Sequence, residues 1–305
     1  MMCCHDANCE RPAPFVSWDP MHASAEYTVG NISISVISDG YIKLDGGAVF
    51  GLIPRVMWEP VVGRDQIDEN YRIPLGLNCM VVRSGSDVLL VDTGMGNKHS
   101  DVVRRGFPGD YGYLLGGLAG LGLAPGDVTA VANTHLHADH CGWNTIRRGD
   151  DLAPTFPNAR YFIQAGEYEV AMHPNERTRG TYFAENFEPL AASGQLDLVS
   201  GEREIIPGVH FLPTPGHTAD HAALVVASGG ETAIYTGDLV HHEVQAERPT
   251  WIAAFDILPL VTLETKKRLV ERAIRENALL ICVHNGFPGT GRLVEQNGRR
   301  TFVRE

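Results

Sequence analysis

Long apolar runs are missing from the 305-residue sequence, which nowhere reaches the roughly 18 consecutive apolar residues of a membrane-spanning helix. The start of the chain also lacks the apolar core of an export signal, because His5, Asp6 and Glu10 interrupt it. We therefore expect a cytoplasmic protein that has no membrane partner.

Positive charge is scarce in this chain. The 25 Lys and Arg residues are outnumbered by 37 Asp and Glu residues, and the formal net charge is −12. An acidic surface repels phosphate backbones, and basic runs such as Lys266 to Arg268 are short. We expect no nucleic-acid partner, and a small neutral substrate suits the composition better.

Cysteine is also sparse, with six residues in the whole chain: Cys3, Cys4, Cys9, Cys79, Cys141 and Cys282. Their spacing shows no disulfide framework, so we interpret them as thiols. The N-terminal cysteines together with His5 could hold a metal ion. Adventitious affinity at a chain terminus is the favoured interpretation of that cluster.

No sequence repeat, low-complexity segment or interdomain linker is found. Hydrophobic residues make up 44% of the chain and charged residues 20%, which is typical of a globular protein. Residues 1–25 carry Pro12, Pro14 and Pro20 without apolar periodicity and predict an extended arm. Residues 26–305 are predicted to form a single domain.

Short apolar stretches alternate with helix-like segments along this domain. Strands are predicted at 27–42 with a turn at Asp39-Gly40, and at 77–82, 88–91, 128–133, 160–164, 209–212, 222–226, 232–235 and 279–283. Helices are predicted at 111–123, 165–172, 183–193 and 262–277, and residues 46–68 are predicted to be irregular. Strands that alternate with helices indicate an α/β fold.

Residues 134–144 read Thr-His-Leu-His-Ala-Asp-His-Cys-Gly-Trp-Asn, directly after a predicted strand. This stretch supplies His135, His137, Asp139 and His140 within six positions. Imidazoles and a carboxylate on one short turn are the ligands that zinc and similar metals prefer. The stretch therefore predicts a metal site.

Three further candidate ligands, His217, Asp238 and His284, stand where later predicted strands end. Loops at one edge of the sheets of an α/β fold converge, so residues distant in sequence can meet there. Two metal ions held close together need five imidazoles, a terminal carboxylate and a bridging carboxylate. The chain offers that complete set.

The motif His-x-His-x-Asp-His, followed by Pro215-Gly-His-Thr, Gly237-Asp238 and a late histidine, resembles the metallo-β-lactamase superfamily. The preceding Asp92-Thr-Gly is in the family's order as well. The resemblance implies a four-layer αββα sandwich, in which two mixed β-sheets are flanked by helices.

The resemblance also implies a role for each candidate ligand. One ion would be held by His135, His137 and His217, the other by Asp139, His140 and His284, with Asp238 bridging both. Asp92 would orient a ligand histidine. The ions would be two divalent metals, most simply zinc, with manganese, iron and cobalt as alternatives.

The implied reaction is hydrolysis by a hydroxide that bridges the two ions. Asp139 would pass a proton to the leaving oxygen. The acyl-homoserine lactonase branch of the superfamily often carries Tyr a few positions after the bridging Asp, and His241 stands there in this chain. His241 either replaces that Tyr as an electrophile or proton donor, or it has a structural role.

The segment 237–241, the pair Phe255-Asp256 and the sequence after His284 look more like the branch that contains methyl parathion hydrolase and its lactonase-active relatives. We expect an enzyme that opens a lactone or cleaves a related ester. A phosphotriesterase is the leading alternative. A glyoxalase II-type thioesterase is less favoured, because only about twenty residues follow His284 where that branch adds a helical domain.

Two non-hydrolytic alternatives are weaker. A di-iron oxidoreductase of this superfamily usually has Glu where His137 stands, and a silent metal-binding module would not keep the full ligand set. Candidates for an aromatic substrate wall are Phe50, Trp58, Trp143 and Phe183, with core packing as the alternative for each. The N-terminal arm and the relatives of this branch favour a homodimer.

Overall fold

The computed structural model describes residues 24–305. Its strands, in chain order, are β1 (Ala25–Val29), β2 (Ile32–Asp45), β3 (Arg72–Ser84), β4 (Asp87–Val91), β5 (Gly109–Tyr111), β6 (Ala130–Ala132), β7 (Thr145–Arg148), β8 (Asp151–Pro154), β9 (Arg160–Gln164), β10 (Leu196–Val199), β11 (Arg203–Ile206), β12 (Val209–Pro213), β13 (Ala222–Ser228), β14 (Glu231–Tyr235), β15 (Leu279–Ile281), β16 (Thr290–Gln296) and β17 (Arg299–Arg304). The α-helices are α1 (Gly46–Phe50), α2 (Arg55–Val62), α3 (Asp101–Gly106), α4 (Leu114–Gly120), α5 (Ala138–Cys141), α6 (Ala165–Met172), α7 (Glu188–Ala192), α8 (Glu243–Glu247) and α9 (Pro259–Arg275).

The strands form two large mixed sheets and one small ribbon. The first sheet has the order β1-β2-β3-β4-β6-β9-β10, with β5 paired to β2, and it is antiparallel up to β4 and parallel from β4 to β10. The second sheet runs from β11 to β17 in chain order, with one parallel pair, β14 and β15. Strands β7 and β8 pair only with each other.

The packing of side chains shows four layers. Alternate residues of a strand point to opposite faces, so strands buried on both faces are apolar at successive positions. In β3, Met80 and Val82 pack between the two sheets, whereas Cys79 and Val81 face α4. In β13, Leu224 faces the first sheet and Val225 faces α9. The predicted αββα sandwich is therefore confirmed.

Five strand ends lie on one edge of this sandwich. Strands β4, β6, β12, β14 and β15 are followed by Asp92, the 134–140 stretch, His217, Asp238 and His284, respectively. The parallel pairing of β4 with β6 and of β14 with β15 brings neighbouring carboxyl ends together. Backbone bonds join the loops, including Ala222 N–H to Thr134 O at 3.0 Å. The topology thus assembles the candidate site residues at that edge.

Three sequence-based predictions are corrected by the structure. The first predicted strand is divided by a turn at Gly30, where φ is +56°, into β1 and β2. Asp39-Gly40 does not end a strand but lies inside β2, at an irregularity in its pairing with β3. The region 46–68 is not irregular, because it forms α1, α2 and a short 3-10 helix.

The start of the chain was predicted to be an arm that ends at residue 25. Residues 1–23, including the N-terminal cysteines, lie outside the described residues, and Ala25 already belongs to β1. Among the helices of the described part, none combines the length and the apolar character needed to cross a membrane.

Candidate metal centre

The 134–140 stretch leaves β6 and turns into the short helix α5. His137 precedes this helix in extended conformation, with φ −62° and ψ 150°, and Asp139 and His140 lie within it. This change from extended to helical backbone lets side chains at alternating and adjacent positions point to one place. The stretch that the sequence singles out is therefore folded so that its imidazoles and carboxylate converge.

Six candidate ligands meet around the carboxylate of the seventh, Asp238. Its Oδ1 lies 3.0 Å from His140 Nε2 and 2.9 Å from His284 Nε2. Its Oδ2 lies 3.2 Å from His217 Nε2 and 3.7 Å from His135 Nε2. Each oxygen of Asp238 thus faces a different group of imidazoles, which is the geometry of a carboxylate shared between two sites.

The remaining two candidates complete these groups. His137 presents Nδ1 at 3.0 Å from His217 Nε2, and Asp139 Oδ2 lies 3.8 Å from the Nε2 atoms of both His140 and His284. We call His135, His137 and His217 the first ligand set, and Asp139, His140 and His284 the second ligand set. The donor atoms of each set lie within 4.8 Å of one another, with Asp238 grouped with the first.

Four of the histidines are held by a hydrogen bond on the nitrogen that faces away from Asp238. His140 donates from Nδ1 to Asp92 at 2.8 Å, which is the contact predicted for Asp92, and His217 donates from Nδ1 to Asp256 at 2.9 Å. The Nδ1 of His284 donates to the carbonyl of Gly76 at 2.8 Å. When the ring is neutral, such a bond leaves an Nε2 lone pair directed at the centre. Burial lowers the pKa of these three rings, but the charge of Asp238 and the nearby carboxylates outweighs it and raises each pKa above the usual value.

His135 is held in the same way through a hydroxyl. Thr134 Oγ1 donates to Asp92 at 2.9 Å, so that oxygen accepts from His135 Nδ1 at 3.1 Å. Asp92 also accepts from the Thr134 N–H at 2.8 Å. One buried carboxylate therefore orients a histidine from each ligand set.

A neighbouring histidine supports Asp238 itself. The Asp238 N–H donates to His221 Nε2 at 3.0 Å. Gly237 precedes it at φ +51°, and a Cβ there would lie 2.4 Å from the same nitrogen, so only glycine permits this approach. His221 thus has a structural role, because it holds the backbone of Asp238.

Burial and mutual repulsion set the charges of the centre. Burial and the neighbouring imidazoles lower the pKa values of His135 and His137 well below the usual range, so both are neutral donors at pH 7. Burial raises the pKa of Asp238, but the imidazoles led by His140 and His284 outweigh it and lower that pKa well below its usual range. Asp238 is therefore ionised.

Buried polar atoms that lack a hydrogen-bond partner are a further feature that fits a metal ion at this centre. Among the described residues, His135 Nε2, His140 Nε2 and Asp238 Oδ1 are buried and have no hydrogen-bond partner, although they face one another. A buried polar atom without a partner costs about 1–3 kcal/mol. A cation in the first ligand set would give His135 Nε2 a partner, and one in the second would give partners to His140 Nε2 and Asp238 Oδ1. The mixture of imidazole and carboxylate donors suits zinc.

A cavity of ≈ 400 Å³ opens onto the centre. Its floor includes His137, Asp139, His217, Asp238, His241 and His284, and its walls include Leu44, Ala48, Leu75, Phe107, Arg177, Thr178, Thr181, Ala254, Phe255 and Ile257. The walls are mostly apolar, and Arg177 reaches across to the carbonyl of Ala254 at 3.1 Å. A small molecule with an apolar portion fits this space.

The aromatic wall predicted from the sequence is corrected by this cavity. Phe50 and Trp58 stack on each other at 5.4 Å in the core, and Trp143 is buried with its Nε1–H bonded to Asp39. Phe183 packs against His99. None of the four lines the cavity, because core packing uses their large apolar surfaces; the aromatic lining residues are Phe107 and Phe255.

His241 lies beside the first ligand set. Its Nε2 is 3.2 Å from Asp238 Oδ2, and its ring packs edge-on against Phe255 at 4.8 Å. Burial lowers the pKa of His241, and the opposing effect of Asp238 is smaller, so the ring is neutral at pH 7. A neutral ring at the cavity floor can donate a hydrogen bond to a bound substrate.

Three buried acidic residues around the centre were not recognised as functional from the sequence. Asp39 accepts bonds from Met95, Gly96 and Leu114 N–H and from Trp143, at 2.7–3.0 Å, and so holds the loop after Asp92. Asp256 orients His217, and Glu167 holds the chain beside two ligands. The sequence could have indicated the role of Asp39, because an acidic residue inside an apolar strand stands out. The helix pattern around Glu167 gives no such indication.

The sequence is similar to that of known proteins over most of the chain. A sequence profile described as "Metallo-beta-lactamase superfamily" matches residues 72–146 and 154–284. The N-acyl homoserine lactonase AiiA of Bacillus thuringiensis subsp. kurstaki is 28% identical over 221 residues, which are 68% of this chain and 80% of that protein.

Two solved structures are similar over nearly their whole length. A probable metal-dependent hydrolase from Staphylococcus aureus has a TM-score of 0.83 and 26% identity, covering 92% of this chain and 99% of that one. AidC, described as a dizinc quorum-quenching lactonase, has a TM-score of 0.78 and 22% identity, covering 94% of this chain and 99% of that one. The second likeness concerns the fold alone.

Proposed function

The chain belongs to the metallo-beta-lactamase superfamily and is a metal-dependent hydrolase, and we propose that it uses two divalent ions to open a lactone or cleave a related ester. The observation that carries this proposal is the division of Asp238, whose two oxygens face two separate ligand sets. A centre for a single ion would not require a second set of donors behind the second oxygen.

In this proposal the first ligand set would hold one ion, the second ligand set would hold the other, and Asp238 would be shared by both. The donors and the dizinc description of AidC favour zinc, with manganese, iron and cobalt as alternatives. When bound, two such ions supply Lewis acidity toward the scissile carbonyl and a hydroxide at neutral pH.

The chain's own residues would carry the remaining tasks. Asp139 lines the cavity with its side chain 13% exposed, the most accessible of the proposed ligands, and it can take up the proton that the attacking hydroxide loses and pass it to the leaving alkoxide. His241 Nε2 can donate to the carbonyl oxygen of the substrate from beside the first ligand set. Asp238 and the orienting carboxylates hold these groups in place.

The lactone is favoured over other esters by relatives and by the cavity. AiiA is named an N-acyl homoserine lactonase, and the walls from Leu44, Leu75, Phe107 and Ile257 suit an apolar acyl portion. Phosphotriester hydrolysis is the second candidate, because His241 stands where the lactonase branch often has Tyr. A glyoxalase II-type thioesterase is a weaker third candidate.

A substrate panel tests the proposal. Purified enzyme, supplied in turn with zinc, manganese and cobalt, is assayed on γ- and δ-lactones, aryl esters, phosphotriesters and glutathione thioesters. We expect the highest kcat/KM for a lactone and close to two metal equivalents per chain. Turnover confined to phosphotriesters would select the second candidate, and a metal content near zero after metal-replete expression would refute the centre.

We also propose, on sequence grounds, that the enzyme acts in the cytoplasm as a homodimer. Light scattering during size-exclusion chromatography measures the mass directly. A mass of 33.3 kDa, that of a single chain, would contradict the dimer.

A further inference from the structure

Glu167 is a buried carboxylate that the proposed mechanism does not use. It lies in the first turn of α6 and its residue is only 1% exposed. Its Oε1 accepts the Leu136 N–H at 3.0 Å and the Tyr182 hydroxyl at 2.8 Å, while its Oε2 accepts the Thr218 hydroxyl at 2.6 Å. A carboxylate this deeply buried is retained only when its oxygens are well bonded.

The three donors to Glu167 all lie next to the first ligand set. Leu136 stands between His135 and His137, and Thr218 directly follows His217. The ring of Tyr182 packs against the His137 ring at 4.9 Å between centroids. The bonds go to the chain beside the ligands rather than to their rings, and they join two loops that are about 80 residues apart in sequence.

We propose that Glu167 is a positioning residue for the first ligand set, so that it selectively raises the affinity of that set for its ion. One side chain bonds to both loops and therefore helps to fix the distance between them. This inference rests on the proposed metal centre. The histidines of the second ligand set are held by other groups, namely Asp92 and the Gly76 carbonyl.

Glu167→Ala would leave three donors without a partner and remove one link between the two loops, while the backbone bond from Ala222 to Thr134 would remain. Supporting residues of this type change metal affinity by about 10- to 100-fold. We therefore expect a loss of that size at the first ligand set and a change of less than about threefold at the second. Glu167→Gln should lose much less zinc affinity at the first ligand set, because its amide oxygen can accept from Leu136 and Tyr182 while its amide nitrogen donates to Thr218.

Zinc affinity is measured by competition with a chromophoric chelator in two backgrounds. His284→Ala leaves the first ligand set intact, and His137→Ala leaves the second. Glu169→Ala is the matched control, because Glu169 lies on the same helix with its side chain 76% exposed and forms an ion pair with exposed His173. We expect the control to match its parent in both backgrounds.

Thr218→Val provides a second variant in case Glu167→Ala does not fold. It is close to isosteric and removes only the link to the His217 loop, so we expect a several-fold loss confined to the first ligand set. Equal losses in both backgrounds, or no loss in the folded variants, would overturn the inference. Binding of no zinc by the wild type would instead refute the proposed function, and zinc binding without lactone turnover would leave the inference standing.

Discussion

The two ligand sets differ in the groups that support them from behind. The first has carboxylates at two points, Asp256 on the ring of His217 and Glu167 on the chain beside its ligands. The second has Asp92 on His140 and a neutral carbonyl, that of Gly76, on His284. Carboxylate acceptors make a ligand imidazole more basic than carbonyl acceptors do. In the proposed two-ion centre, an ion in the first ligand set would therefore be the more firmly held of the two.

The second ligand set is also the one that contains a carboxylate open to the cavity. Asp139 is the partly exposed member, whereas the rings of His135 and His140 are fully enclosed. A set that must take part in proton transfer cannot be sealed in the same way. In the proposed two-ion centre, the second ligand set would therefore be the one nearer to the proton transfer, and the first would mainly bind and polarise.

The strongest way to break this comparison is to remove the residue that both sets share. Asp238→Asn keeps the size of the side chain but removes the charge that faces both sets. We expect kcat/KM to fall by more than about 100-fold, the upper range for residues that only support a ligand, and both zinc equivalents to weaken. Activity and zinc content are measured together. Unchanged turnover would refute the bridging role.

Replacing His241 would show whether it belongs to the first ligand set. With His217 and Asp256 it forms a third group of donors close enough to hold a metal ion, so it could be a ligand rather than a hydrogen-bond donor to the substrate. If it is a donor, His241→Phe should lower kcat by about 100-fold and leave two zinc equivalents bound. Loss of one equivalent would assign His241 to the ligands instead.

The orienting carboxylates allow the two sets to be weakened separately. Asp256→Asn should lower zinc affinity at the first ligand set, and Asp92→Asn at the second, each by about 10- to 100-fold. Asp92→Asn should reach the first set as well, because Asp92 also bonds Thr134 beside His135. Chelator titrations of both variants measure the zinc affinity of each ligand set and check these expected losses. Equal effects on both ions in Asp256→Asn would remove the distinction between the sets.

Much of this site could be predicted from the sequence, and the limit has a physical cause. A dense motif such as 134–140, and histidines at strand ends, are visible because ligand chemistry needs those residue types in that order. Asp256 and Glu167 are not visible, because their role arises only when α6, the loop before α9 and the His217 loop meet in space. The substrate wall was misjudged for the same reason, since an aromatic residue packs equally well in a core or a cavity.

Predictions about the fold also succeeded where local sequence pattern decides the structure and failed where long-range contacts do. Apolar runs bounded by turns predicted β9 and α6 to the residue, since local pattern determines both. The turn predicted at Asp39-Gly40 was wrong, because the carboxylate of Asp39 is satisfied by donors from three distant segments rather than by solvent. Long-range bonds that stabilise a buried polar residue leave no periodicity for sequence analysis to detect.

The smallest expected effect concerns a cation behind the first ligand set. Lys266 of α9 is buried and donates to the Trp251 carbonyl at 2.9 Å. Burial lowers its pKa to about 8, although the charge of Asp256 opposes the shift. Below pH 8 the folded state bears the full cost of the buried charge. Between about pH 8 and 10.5 the unfolded chain binds more protons than the folded one, so this group makes stability rise with pH.

Replacing this cation measures its contribution to the support of the first ligand set. For the metal-free enzyme we expect the free energy of unfolding to gain up to about 1.4 kcal/mol per pH unit from Lys266 over that interval, and Lys266→Met to lose this component. Urea denaturation at several pH values gives the slopes, and Lys267→Met, whose side chain is 44% exposed, is the control. Identical slopes in the wild type and Lys266→Met would mean that the buried ammonium is not the source, and Asp256 would then orient His217 without help from a cation.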